Sequence, residues 1–233
     1  MNAAVQGFLP STSAFHFPNS WPHVPAFTVD IAGLHVPLGD ASRGLCGGMV
    51  FAARDFFEAH VPIPADTFVP ADGPLYEYIG RRLKDSFDLP LGPTKYLDLM
   101  AAPDGDVGIP ALSWLLRKWR RGIAWRTITD EVPKILADID AGRLSSVGLV
   151  CARGLSPMDL GVNHQVLAYR YARTGDLLRL FVYDPNRPNR DDVSLDLSLI
   201  HPTRPTQIMF VNGSKDVRGF FRVKYAPVAP PEL

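Results

Sequence analysis

Three side chains in this sequence have the types and chain order of a nucleophile, a base and an orienting acid: Cys46, His164 and Asp184. Cys46 stands in Gly44-Leu45-Cys46-Gly47-Gly48-Met49, at the expected first turn of a helix. A helix N-terminus carries roughly half a positive charge and several unpaired N–H groups. Both favour a thiolate over a thiol. Gly47 and Gly48 are expected to leave room for a substrate beside the sulfur. Taken alone, Cys46 is inert packing, because free cysteine is among the most buried residue types. The weight of the catalytic reading comes from what lies more than a hundred residues downstream.

His164 opens the strand-like run His164-Gln165-Val166-Leu167-Ala168-Tyr169, and Asp184 ends Leu180-Phe181-Val182-Tyr183-Asp184. A turn centred near Thr174-Gly175-Asp176 joins them into a hairpin with the two residues opposite each other or within a rung or two. Directly opposed side chains have Cβ atoms about 5 Å apart, close enough for a carboxylate to hold an imidazole by one ring nitrogen. Both runs are apolar on both faces, as in a central hairpin. A polar pair at the open end of such a hairpin, with a cysteine at a helix start, supplies all three roles of a triad.

The elements that must position these groups change character along the chain. Met49 to Phe57 is apolar nearly all round, as in a helix buried within a domain. Asp72-Gly73-Pro74 opens a second helix with Leu75, Ile79, Leu83 and Phe87 in one stripe, and Pro93 starts a short one through Met100. Pro110 starts another through Arg121, whose basic end complements a helix dipole. Thr129 is placed to cap a further helix closed by Gly142. From Ser146 onward the chain reads as strands: 146–152, 164–173, 177–184, 193–197, 207–211 and 219–225. Helices first and antiparallel strands second define an α+β class. Before them, Pro10, Pro18, Pro22 and Pro25 block regular elements, while Phe8, Phe15, Phe17 and Trp21 are too apolar for a disordered tail. An ordered arm is expected there, followed by a short hairpin of Phe27–Ile31 with Leu34–Val36. The organisation expected is a single domain over 1–233: arm and hairpin over 1–37, a helical lobe over 38–142 and a sheet lobe over 143–233.

Residues Cys46, then Asn163-His164-Gln165-Val166-Leu167-Ala168-Tyr169, then Val182-Tyr183-Asp184-Pro185-Asn186 resemble the papain-like cysteine peptidase superfamily, from about residue 40 onward. The likeness is greatest to its bacterial branches, such as the peptidase domains that trim bacteriocin leaders, where the third member is also Asp. The resemblance implies hydrolysis or transfer at an amide or thioester carbonyl of a protein or peptide, without metal or other cofactor. The pattern departs from papain where Arg43 replaces a Cys, Gly47 a Trp, and Asp40 the oxyanion-hole Gln. A carboxylate repels an oxyanion, so the backbone N–H of Cys46, with Asn19 or Ser42, is expected to serve instead.

Several classes are set aside. Lys plus Arg is 24 and Asp plus Glu is 24, so no basic excess points to nucleic acid. No apolar run approaches the ~20 residues of a membrane span. No Gly-Lys-Ser/Thr ending or Rossmann repeat accompanies the glycines at Cys46, and the histidines show no metal-ligand spacing. Two cysteines fit a reduced compartment, with a Cys46–Cys151 bridge as the less common alternative. Without a basic, apolar signal segment, the expected location is the cytoplasm, or outside it by a route needing no cleavable signal peptide. The expected function is that of a peptidase or amidase. Its alternatives are an acyltransferase or deamidase acting on a partner protein, as a delivered toxin would, and a binding module with a relict triad.

Overall fold

The computed structural model describes residues 1–21, 25–31, 34–40, 45–87, 91–105, 121–154, 157–200 and 206–232. The chain is α+β, with helices on one side of a curled antiparallel sheet. Helix α2 (Cys46–Glu58) is the centre of the helical part. Every residue from Gly47 to Phe56 is buried, including Arg54 and Asp55. It packs on α3 (Gly73–Ser86) and on the sheet. In α3, Pro74 occupies the first turn and Leu75, Ile79 and Leu83 form the buried stripe. Helix α4 (Leu91–Ala101) follows.

A buried charged hub on α2 was not anticipated from the sequence. The Asp55 carboxylate, 1 % exposed, accepts from Tyr78 Oη (2.8 Å), Arg82 Nε (2.6 Å) and Nη2 (3.1 Å), Tyr225 Oη (2.7 Å) and the Val228 N–H (3.0 Å). It ties α2 to α3 and to the C-terminal tail. Alternation rules cannot find such a residue, because its partners lie 23 to 173 positions away.

The helix expected to begin at Thr129 begins earlier. One helical segment runs through α5 (Ile123–Arg126), a wider π-helical turn at Thr127–Glu131, and α6 (Val132–Asp140). Thr129 lies inside it, its hydroxyl donating to the Trp125 carbonyl at 3.0 Å rather than capping. Pro133 has no N–H for the preceding turn, and the helix widens there. Gly142 (φ 72°) does close the segment. The predicted helix from Pro110 falls outside the described residues.

The main sheet has strand order β10-β4-β5-β6-β7-β8-β9. Its strands are β4 (Ser145–Val150), β5 (His164–Thr174), β6 (Leu177–Tyr183), β7 (Ser194–Ser198), β8 (Thr206–Phe210), β9 (Gly213–Val217) and β10 (Gly219–Arg222). Only Arg218 separates β9 from β10, yet they stand at opposite ends of this order, so the sheet must curl until its ends meet. Arg218 fastens the closure, donating to the Met100, Ala102 and Ala152 carbonyls and to Asp104. Strand β4, flanked by β10 and β5 and in contact with α4 and α6, is buried along its whole length.

Strand β9 escaped the sequence reading because Gly213-Ser214-Lys215-Asp216 is polar and exposed, as a short edge strand should be. The N-terminal arm also differs from the reading. Asn2–Ala4 forms β1, paired with residues 170–172 of β5, beyond the stretch 164–168 of β5 that pairs with β4. A short helix, α1 (Pro10–Ser13), follows, and Phe8, Phe15, Phe17 and Trp21 are buried. The early hairpin forms as β2 (Pro25–Ile31) and β3 (Leu34–Asp40). Among the described residues, no helix is long and apolar enough to cross a membrane.

Candidate active site

Three local features bring the site together. The first is the register of the β5–β6 hairpin. Leu167 pairs with Tyr183 and Ala168 with Val182, which places Asp184 one step beyond the last paired rung. A bulge between Ala168 and Arg170 shifts the far half of the hairpin. His164 Nε2 then donates to Asp184 Oδ1 at 2.7 Å. The second is the turn Asp184-Pro185-Asn186-Arg187, in which the Asn186 N–H donates to Asp184 Oδ1 (2.9 Å) and Arg187 Nη1 to Oδ2 (2.8 Å). The carboxylate is 1 % exposed and has donors on both oxygens. Burial alone would raise its pKa, but the charge and hydrogen bond of His164, the Asn186 N–H and Arg187 prevail and hold it below its ordinary value.

The third feature is the start of α2. Nε2 of His164 is occupied by Asp184, and Cys46, at the start of α2, lies near enough for its charge to favour the protonated ring. Burial opposes the charged imidazole, yet Asp184 and Cys46 together push its pKa up to about 10. The charged form of the ring is therefore favoured, beside a buried carboxylate and a sulfur at a helix N-terminus. That is the electrostatic partner a thiolate requires.

Asn19 links the two halves. Its Oδ1 accepts from the Leu45 N–H (2.6 Å) and from Trp21 Nε1 (3.0 Å), which fixes the amide orientation and turns Nδ2 toward Asn186 Oδ1 at 3.1 Å. Its own N–H donates to the Pro185 carbonyl at 2.9 Å. The arm residue thus bridges the residue before the nucleophile and the turn that carries Asp184. Ser42 and the Asp40 side chain fall outside the described residues.

Gly47 and Gly48 do not face a substrate, contrary to the sequence expectation. A Cβ at Gly48 would strike the Ile79 carbonyl of α3, and one at Gly47 would strike the Ser86 hydroxyl and come within 3.0 Å of Gln165. Both are buried, and they let α2 lie close against α3 and β5. The sequence reading mistook a helix-packing requirement for an access requirement.

Cys151 was expected to be shielded in an apolar strand. It lies just past β4, half-buried, its N–H bound to Asn163 Oδ1 at 2.9 Å. Its thiol is pushed up by burial, against the opposing charges of Lys215 and His164. Both cysteines are free, so the bridge weighed from the sequence is not formed.

A cavity of about 570 Å³ opens beside the triad, bordered by His164, Asp184, Asn19, Asn186, Cys151 and the β8–β9 hairpin, but not by Cys46. Its size is that of ordinary ligand pockets, about 300–1,000 Å³. Among the described residues, no group of three or more His, Cys, Asp or Glu side chains is arranged to hold a metal ion. No protein-family model, curated protein or solved structure matches the chain. The site therefore has to be read from its own geometry.

Proposed function

We propose that the chain is a papain-like cysteine hydrolase that cleaves a peptide or other amide bond through a covalent thioester. The single observation that carries this reading is the 2.7 Å bond of His164 Nε2 to the buried Asp184, beside Cys46 at the start of α2. A buried ionised pair needs a reason, since taking two charges out of water costs several kcal/mol per ion before their attraction repays it. Catalysis is such a reason.

The Cys46 thiolate attacks the carbonyl carbon, forming the C–S bond and an oxyanion. The backbone N–H of Cys46, at the first position of α2 and without a partner among the described residues, and Asn19 Nδ2 are the donors we assign to that oxygen. His164 Nδ1–H then protonates the departing nitrogen as the C–N bond breaks, leaving a thioester. The neutral imidazole next takes a proton from water, the hydroxide adds to the thioester carbon, and collapse releases the acid and the Cys46 sulfur. An amine in place of water gives acyl transfer from the same intermediate. Asp184 keeps Nε2 protonated throughout, and so keeps Nδ1 as the nitrogen that trades the proton.

The test is a peptide library incubated with full-length protein and with Cys46→Ala, with cleavage read by mass spectrometry and the acyl adduct trapped by acid quench. Cleavage that depends on Cys46, with the acyl mass on the peptide containing that residue, supports the reading. Cleavage that survives Cys46→Ala refutes it.

A further inference from the structure

The cavity beside the triad has a sign and a side. It is bordered by His164 but not by Cys46. In any mechanism in which His164 protonates the departing group, the space on the far side of that ring holds the leaving half of the substrate, not the acyl half. Its wall on that side is the curled end of the sheet. In the β8–β9 hairpin Ile208 pairs with Lys215, and residues two apart on a strand share a face. Ile208, Lys215 and Val217 accordingly border the cavity together.

The cations there are unequally used. Arg187 is committed: it bonds Asp184 Oδ2 and its guanidinium lies 3.7 Å above the Phe210 ring. His164 is committed to Asp184 and Cys46. Lys215 has no carboxylate partner among the described residues, whereas the neighbouring Asp216, on the opposite face, is bonded to Gln207 Nε2 at 3.1 Å. Among the described residues, the one carboxylate bordering the cavity, Asp184, is already saturated by three donors. Three cations against one acid leave a positive chamber whose free charge stands over an apolar wall.

We infer that this cavity is a subsite for a carboxylate on the leaving half of the substrate, with Lys215 as its specificity-determining residue. The carboxylate is either an acidic side chain just after the scissile bond or the free C-terminal carboxylate of a short leaving peptide. Lys215 supplies charge, and Ile208 and Val217 contact the methylene stem. The inference rests on the hydrolase reading for which half of the substrate is bound, but not for the charge of the chamber.

Two measurements separate those two dependences. The first needs no turnover. Cys151 borders the same chamber, so in full-length Cys46→Ala its alkylation by anionic iodoacetate is compared with that by neutral iodoacetamide. The ratio cancels thiol ionisation and access. Relative to a free cysteine peptide it is expected to be raised about three- to tenfold at low salt. It should return to the free value in Lys215→Met and fall below it in Lys215→Glu. A ratio unaffected by Lys215→Met overturns the inference. The second uses a peptide library carrying Glu, Gln or Ala after the scissile bond, each as C-terminal acid and C-terminal amide. Wild type should prefer carboxylate-bearing leaving groups at least tenfold in kcat/KM, and Lys215→Met should abolish the preference. A preference for Glu in both end forms identifies a side-chain carboxylate; a preference for acid over amide whatever the residue identifies a C-terminal one. Cleavage with no such preference overturns the inference. Absence of all cleavage with a Lys215-dependent alkylation ratio instead refutes the hydrolase reading and leaves the anion subsite standing.

Discussion

Replacing Asp184 by Asn should move the alkaline limit of the proposed activity rather than simply lower its rate. In the folded protein the His164 pKa lies near 10, against an ordinary 6.5. That gap is worth roughly 5 kcal/mol in favour of the imidazolium. It is the net of burial, which opposes the charge, and of Asp184 and Cys46, which favour it; Asp184 is the larger of the two. The depression of the Asp184 pKa is the same interaction seen from the other partner and adds nothing further. Asparagine keeps an acceptor for His164 and for the Asn186 N–H but removes the charge, so the pKa of the ring should fall to ~7.5 if about two-thirds of the gap is lost. At pH 9 only about 3 % of the rings then remain protonated, a loss of roughly 30-fold in kcat/KM relative to wild type, whereas at pH 6.5 the two differ by only about a tenth from this cause. The new amide NH2 also faces the Arg187 Nη1 donor that met Oδ2. That mismatch should cost about 1–2 kcal/mol of stability. The assay is the pH profile of kcat/KM between pH 6 and 10.5 for both proteins, with the fold checked by circular dichroism at each pH. Coincident alkaline limbs would show that Asp184 does not set the charge of His164, and the electrostatic argument for the triad would fail.

Other outcomes follow from the same contacts. Cys46→Ala should abolish turnover while shifting the melting temperature by no more than a ~1 kcal/mol change would, since the sulfur lies at a half-buried helix start; equal or slower labelling of Cys46 than Cys151 by iodoacetamide at neutral pH would count against its assigned role. Gly48→Ala should destabilise by about 1–3 kcal/mol or more because the Ile79 carbonyl cannot yield, whereas Gly80→Ala on α3, with nothing near its Cβ, should stabilise by roughly 1 kcal/mol, both read by urea melts. Asp55→Ala should cost about 3–5 kcal/mol by leaving the buried Arg82 with only Asp85 as a carboxylate partner, and a smaller loss would mean the hub relaxes into water. His164, with its pKa raised, contributes stability that is complete below about 6.5 and disappears as pH rises through about 10. Asp184, with its pKa lowered, contributes stability that is complete above 3.8 and disappears as pH falls below it. Urea midpoints should thus be highest between those limits, and Asp184→Asn should flatten both shoulders.

What the sequence makes legible is what depends on local pattern. The β5–β6 hairpin could be read because alternation and a Gly-containing turn constrain its register to within a rung, and that constraint alone brings His164 to Asp184. The helix headed by Cys46 could be read because Met49 to Ala53 with Phe56 and Phe57 make it apolar nearly all round. What escaped depends on partners far along the chain. Asp55 looks like any acidic residue on a helix until Tyr78, Arg82 and Tyr225 arrive around it. Lys215 looks like a charge on a surface strand until the closing of the sheet turns its face toward His164.

Gly47 and Gly48 show how one sequence feature can answer to two different physical requirements. Glycines beside a nucleophile are compatible both with substrate access and with close helix packing, and the sequence contains nothing to separate the two. The structure separates them by direction: the missing Cβ atoms point at Ser86, Gln165 and Ile79, away from the cavity. Their effect on the site is therefore indirect. By letting α2 approach α3 and β5 without a side chain between them, they set the depth at which the helix begins, and with it the position of Cys46 relative to a histidine on the same strand as Gln165. A nucleophile carried on a helix needs that placement held to a fraction of an ångström, because small misplacements of reacting groups cost large factors in rate. Asn19 applies the complementary restraint from the other side, binding the Leu45 N–H and the Pro185 carbonyl at once. The start of α2 is thus clamped between a helix it can approach only without side chains and an arm that also holds the Asp184 turn. The two parts of the triad, more than a hundred residues apart in sequence, share one set of fastenings.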